Sequence, residues 1–319
     1  MGYSLSVASA ASIDAVGTPP VGLAATFFHV VFNVNYGGLG GFGATLISLI
    51  QHCSAPERLM LHIMCSKLAA PYKWDITAVL TQLGYRGRYC FIDYDAEAAF
   101  GHLPRLHDDL TTYGRLLIAE HVAADRVLYL DSDLIVTCDV LQLEHIDLQE
   151  QLLGAVTRTK VAYTLDQNYL NAHGIDKETD YFNAGVLLID LDRWRTTEVR
   201  SRWEEIIGEE PEGLRCHDQT VLNRLCAGAF YRLPSRYNAP FLAQREAPDH
   251  TNGIFHFLGS PKPWDMGGKR LHQGYRVWQA NNPTFWQERY QSFGMARLKR
   301  SWSIRRSLVR TVIERYNGR

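Results

Sequence analysis

The sequence predicts an α/β fold: a single mixed, mostly parallel sheet flanked by helices, with a helical tail at the C-terminal end. Three observations predict it. Apolar, β-rich runs alternate with helical patterns from residue 26 onward. The most hydrophobic of these runs stops on a pair of carboxylates, at the edge where open α/β sheets bind ligands. A chain of 319 residues with 46% hydrophobic content is also long and apolar enough to bury a full core.

Residues 1–25 are rich in Ser, Ala, Gly and Pro without apolar periodicity and read as a flexible leader. A βαβαβ series follows: strand Phe28 to Val34, helix Ala44 to His52, strand Arg58 to Cys65, helix Lys73 to Leu83 and strand Arg88 to Ile92. A long helix around Tyr113 to Val122 feeds the strand Arg126 to Leu130, which stops at Asp131-Ser132-Asp133. Further strands are predicted at Leu152 to Thr157 and Gly185 to Asp190, and helices at Arg193 to Ile207 and Asp218 to Leu225. Residues 244–253 form a polar, breaker-rich loop of the kind that shapes substrate access. The domain is expected to span 26–290 and a basic tail 291–319.

A net charge of −1 gives no footprint for a nucleic-acid partner. The average hides an asymmetry: no Lys or Arg precedes Arg58, whereas the tail holds Arg297, Lys299, Arg300, Arg305, Arg306, Arg310, Arg315 and Arg319 against Glu314. There Ile304, Leu308, Val312 and Tyr316 recur every fourth residue, an amphipathic basic helix that either docks on its own domain or contacts anionic lipid. Six cysteines without a CxxC pair read as reduced core thiols in a reducing compartment. The apolar run Val21 to Val34 has no basic residue before it and is too short to span a bilayer. Met1 to Ser6 fits the short N-myristoylation pattern.

The motifs carry the chemistry. Asp131 and Asp133, leaving a buried strand two residues apart, can face one divalent ion bridging diphosphate oxygens; alone, such a pair is more often a turn after a strand. Phe255-His256-Phe257 leads into Gly259 and Lys262, where Gly allows close backbone approach and Lys supplies charge to a phosphate. Two carboxylates and one imidazole suit Mn better than Ca. Asn183 and Ala184 run into a buried strand, where Asn183 either bonds sugar hydroxyls or begins a turn. Asp218 opens a helix, which capping explains, and Gln219 follows it. Gly38 to Gly43 formally reads GxGxxG, but it begins four residues after Val34 and no acid closes the second strand at Cys65, so dinucleotide binding is not expected.

Taken in order, five stretches resemble glycosyltransferase family 8: Thr112 to Leu116, Val127 to Asp133, Tyr181 to Trp194, Asp218 to Asn223 and His256 to Trp264. The resemblance implies a GT-A fold, a Rossmann-like mixed sheet, with Mn (Mg as the alternative) held by Asp131, Asp133 and His256 against the diphosphate of a UDP-sugar. It further implies Lys262 and Gly259 at the phosphates and Arg115 and Ser132 at the donor. Phe32, Asn33 and Asn35 would lie near uridine, with Asn183, Ala184, Asp218 and Gln219 around the donor sugar. Gln219 would face the anomeric carbon, where an amide stabilises developing positive charge better than it attacks. Two positions depart from the family pattern: Asn35 and Arg158 stand where it commonly has Asp, and Arg158 reverses the charge.

The expected function is retaining transfer of glucose or galactose from UDP-glucose or UDP-galactose to a glycan or glycolipid, such as a lipopolysaccharide core. The expected place is the cytoplasm, at the inner face of a membrane. The alternatives are transfer to a protein by a secreted effector, and a UDP-sugar-binding protein without turnover.

Overall fold

The structure, a computed structural model, describes residues 27–106, 109–245, 251–291 and 294–317. The expected leader, the N-myristoylation pattern and the middle of the 244–253 loop lie outside the described residues.

Strands β1 (Phe28–Val34), β2 (Leu59–Ser66), β3 (Arg88–Tyr94), β4 (Arg126–Leu130), β6 (Leu153–Lys160), β7 (Asp180–Asp190) and β8 (Tyr231–Arg232) form one sheet in the order β3-β2-β1-β4-β7-β6-β8. β3, β2, β1 and β4 run parallel, and β7 turns the direction by pairing antiparallel with β4 and β6. Both faces are covered, so the central strands are almost continuously apolar, and their alternation divides the core in two. Val31, Tyr129 and Leu187 pack with Phe100, Tyr113 and Trp203 on one side, while Phe32, Leu130 and Leu188 pack with Phe42 and Leu46 on the other. Each fully buried Leu or Phe contributes roughly 1.5–3 kcal/mol relative to exposure.

The single sheet predicted from sequence is joined by a second. β5 (Leu134–Val136), β9 (Ala239–Phe241) and β10 (Ile254–Phe257) form a three-stranded sheet in the order β5-β10-β9. β5 lies only three residues beyond β4, so Asp131, Ser132 and Asp133 are the bridge between the sheets. Segments of three and four residues carry too little periodicity to be read as strands in advance.

Other boundaries move for identifiable reasons. The predicted helix Ala44 to His52 begins at Leu39, so the glycine-rich segment is helical rather than a phosphate loop. Its glycines admit aromatic neighbours: a Cβ on Gly40 would lie 2.5 Å from Trp264 Cδ1, and one on Gly43 2.6 Å from Trp286 Nε1. The predicted helix Arg193 to Ile207 is two helices, Leu191–Thr196 and Val199–Glu209, broken where Glu198 adopts φ +51. Most of the predicted helix Tyr113 to Val122 is a 3₁₀ segment, Thr111–Leu117, followed by one α turn. β7 starts five residues before the predicted Gly185, which places Asn183 and Ala184 inside the sheet rather than in a turn.

The tail forms two helices, Met295–Ser303 and Arg305–Asn317, with Ile304 buried at their junction. It docks on the domain: Gln244 Nε2 donates to Thr311 Oγ1 at 3.2 Å, and Arg300 pairs with Asp265 at 3.2 Å. No helix among the described residues is long and apolar enough to cross a membrane.

Candidate active site

β4 is the switch point of the large sheet, parallel to β1 on one side and antiparallel to β7 on the other. Its carboxyl end opens beside those of β1 and β2, the position where open α/β sheets bind ligands. Asp131 leaves β4 with its backbone N–H on the Gly185 carbonyl of β7 at 2.8 Å. On the other side the Phe257 N–H reaches the Asp133 carbonyl at 3.0 Å, and His256 pairs in register with Leu134. Both sheets thereby aim Asp131, Asp133 and His256 at one point, with ligand atoms within 4.8 Å of one another.

The hydrogen bonds fix which imidazole nitrogen faces that point. Gly185 N–H donates to the Asn183 side chain at 3.1 Å, so that atom is the amide oxygen. His256 Nδ1, 3.1 Å from it and 3.0 Å from Asn238 Oδ1, therefore carries the proton. Nε2 turns its lone pair toward Asp133 Oδ1 at 3.0 Å and Asp131 Oδ2 at 3.8 Å. Lone pairs so arranged repel unless a cation or proton lies among them, and two carboxylates with one neutral imidazole fit a divalent ion such as Mn or Mg. Burial disfavours the charged form of Asp133, but the Lys262 ammonium at 2.7 Å outweighs it and holds the carboxyl well below the usual range.

A second layer sets these groups in place. Arg115, 7% exposed in its side chain, reaches Asp131 Oδ1 at 2.9 Å and Asp218 Oδ2 at 2.8 Å, and stacks over Tyr129 at 4.6 Å. It also donates to the Ala184 carbonyl, and Tyr129 donates to Asp131 Oδ1 at 2.7 Å. Burial opposes the arginine's charge, but Asp131 and Asp218 hold it protonated. Arg115 Nε–H is directed at the Thr112 carbonyl, 3.3 Å away, so Asp218 Oδ2 is ion-paired yet accepts no hydrogen bond. Lys262 Nζ donates to Asp133 Oδ2 at 2.7 Å and to the Phe257 carbonyl.

Asn183 and Gln219 are joined. Gln219 Oε1 accepts from Asn183 Nδ2 at 2.9 Å and Ala184 N at 3.0 Å, and its amide donates to Tyr181 at 3.1 Å. Its oxygen is fully engaged here, so facing an anomeric carbon requires it to exchange partners. Behind it lies Asp166, fully buried, which accepts from Tyr181, from Thr220 Oγ1 at 2.9 Å and from Cys216 N at 3.1 Å.

A cleft of about 830 Å³ opens in front of the carboxylates, a volume suited to a nucleotide-sized ligand. Of the residues singled out in the sequence, Asn33, Asn35, Arg115, Asp131, Ser132, Asp133, Gly259 and Lys262 line it. Asn183, Ala184, Asp218, Gln219 and His256 form the layer behind. Phe32 does neither: it is fully buried against Phe42, because its place in β1 turns it into the core. Asn33 donates to the Thr111 carbonyl and accepts from Tyr94 at 2.8 Å, while Asn35 accepts from Gly38 N at 2.8 Å and caps the turn after β1. Gly259 sits at φ +73, a left-handed backbone that suits glycine. Sequence reasoning missed Tyr129 and Asn238, and missed Arg297 and Arg300 of the tail as lining residues. The basic pattern of the tail was the available signal for the two arginines.

The sequence model of Glycosyl transferase family 8 matches residues 29–267, three-quarters of the chain. The chain belongs to glycosyltransferase family 8. Its relatives by sequence include a probable galacturonosyltransferase-like 3 of Arabidopsis thaliana, 28% identical over 56% of this chain and 55% of that protein. They also include the lipopolysaccharide 1,2-glucosyltransferase of Escherichia coli K12, 29% identical over 44% of each. The chain thus spans about half the length of these curated relatives. Among solved structures, galactosyltransferase LgtC in complex with donor and acceptor sugar analogs aligns with a TM-score of 0.68 at 26% identity, covering 83% of this chain and all of LgtC. Glycosyltransferase GlyE of Streptococcus pneumoniae shares the fold, with a TM-score of 0.57 at 23% identity over 88% of this chain and 64% of GlyE. The family-8 chain accordingly has the GT-A architecture expected from its sequence, and its matched segment contains every expected metal and sugar-facing residue.

Proposed function

We propose that the chain transfers a hexose, glucose or galactose, from a UDP-sugar to a carbohydrate acceptor such as a lipopolysaccharide core, with retention at the anomeric carbon. The observation that carries this reading is the convergence of Asp131, Asp133 and the Nε2 lone pair of His256 at the head of a nucleotide-sized cleft, with Lys262 alongside. A Mn or Mg ion held by these three residues would neutralise the diphosphate as it departs.

The chain's own groups do the rest. Lys262 is placed to pass from Asp133 to the phosphates, and the buried Asp218 holds Arg115 against Asp131 beneath the donor site. Asn183 fixes the His256 tautomer and bonds Gln219, so one side chain links metal binding to the sugar-facing amide. We assign Gln219 the stabilisation of positive charge on the sugar during front-face substitution, since an amide is a weak nucleophile.

Two surfaces bear on the acceptor and location. Arg158 stands exposed on β6, makes no ion pair among the described residues and lies near Arg245, which favours an acceptor carrying acidic groups. Met295, Trp302, Val309 and Ile313 are 69%, 69%, 59% and 52% exposed, interleaved with exposed Lys299, Arg305, Arg306 and Arg310. Such a face suits peripheral contact with anionic lipid at the inner side of a membrane. Free thiols at all six cysteines agree with the cytoplasm.

The test is UDP release from a panel of UDP-sugars with Mn and a glycan acceptor. Release from one hexose donor, with retention seen by NMR of the product, is the expected result. No release from any UDP-sugar would overturn the reading in favour of a binding protein.

A further inference from the structure

The tail, expected from sequence either to dock on its own domain or to contact anionic lipid, reaches the cleft. In the helix Met295–Ser303, Arg297 and Arg300, with Ile304 at its C-terminal cap, fall on one stripe that faces the domain, and both arginines line the cleft beside Lys262 and Trp264. The opposite stripe, Met295, Leu298 and Trp302, faces outward. The inward stripe is fastened to the loop carrying Lys262. Arg300 reaches Asp265 Oδ1 at 3.2 Å and Ser260 Oγ at 3.3 Å, while Asp265 Oδ2 accepts the Lys262 backbone N–H at 2.7 Å.

The cations of this wall differ in how they are neutralised. Arg115, Lys262 and Arg300 each face a carboxylate: Asp131 and Asp218, Asp133, and Asp265. Among the described residues neither the exposed Lys67, which also lines the cleft, nor Arg297 has one. Arg297 Nη2 donates to the Trp264 carbonyl at 2.9 Å and Nη1 to the Gln291 carbonyl, which leaves donors of the five-donor guanidinium open to the cleft. Two carbonyls hold the group still without cancelling its charge. A guanidinium preorganised in this way is suited to a phosphate oxygen, with little ordering left to do on binding.

We propose that Arg297 is a donor-binding residue: the helix Met295–Ser303 completes the cleft and delivers the Arg297 guanidinium to the diphosphate of the nucleotide sugar. The inference rests on the UDP-sugar reading above. It also makes the tail part of the transfer site rather than only an appendage for lipid.

The experiment compares UDP with uridine, each with Mn, by calorimetry on the full chain and on Arg297→Gln. The proposal expects UDP affinity to fall about tenfold, the loss of one charged contact, with uridine affinity unchanged and part of the loss restored by Arg297→Lys. Equal losses for UDP and uridine would mark a structural role only, and UDP binding as tight as wild type would remove Arg297 from the donor site; either overturns it. Should Arg297→Gln fail to fold, amide exchange in the wild-type chain decides: protection of residues 295–303 by UDP but not by uridine is expected, and no difference overturns it. A wild type that binds no UDP at all would instead sink the UDP-sugar reading.

Discussion

Gly185→Ala will lower turnover by about two orders of magnitude while the chain stays folded. A Cβ on Gly185 would lie 2.3 Å from His256 Cε1, 2.6 Å from its Nδ1 and 2.9 Å from Asp131 Oδ2. The imidazole cannot swing away cheaply, because Asn183 and Asn238 hold its Nδ1. The methyl must therefore displace two of the three expected metal ligands, and misplacement of about 1 Å at a reacting centre costs roughly a hundredfold. A higher Mn requirement should accompany the loss, with an unchanged circular dichroism spectrum. Turnover within about twofold of wild type would show that the three ligands do not act at this geometry.

Arg115→Met will cost about 3–5 kcal/mol of stability, the range found when one partner of a buried ion pair is removed. Asp218 is 4% exposed in its side chain and keeps only the hydrogen bond from Thr112 once the arginine is gone. Burial already pushes its carboxyl above the usual range, with Arg115 pulling the other way, so the variant must raise it further. A group whose folded pKa lies above its unfolded value favours the folded state below the unfolded pKa, near 4 or about so, and loses that contribution as pH rises. The defect should thus be largest at neutral pH, shrink toward about pH 4 and be partly relieved by Asp218→Asn. Denaturant unfolding across pH reads all three. A pH-independent loss below about 1 kcal/mol would mean that Arg115 carries little of this network.

The residues legible in the sequence were those whose neighbours in the chain announce them. Asp131 and Asp133 follow the apolar run Val127 to Leu130, His256 sits between aromatics ahead of a Gly and a Lys, and the structure brings all three together. The groups that tune them were not legible, because they arrive from distant segments. Asn238 lies 18 residues from His256, and Arg297 is separated from Trp264 by 33. Periodicity failed where it is short or where the backbone breaks it. β5 and β9 have three residues each, and Glu198 interrupts one apolar stripe without altering its spacing. Phe32 turns into the core for a related reason: the resemblance marks a segment, while strand alternation decides which of its side chains face inward.

On the proposed function, Asp131, Asp133 and His256 hold a divalent ion against a nucleoside diphosphate. Calorimetric titration of UDP with and without Mn, in the wild type and in Asp133→Ala, tests it most directly. Mn should tighten UDP binding to the wild type by about tenfold or more and have little effect on the variant. UDP binding that ignores Mn in the wild type, or that Mn tightens equally in Asp133→Ala, would contradict it.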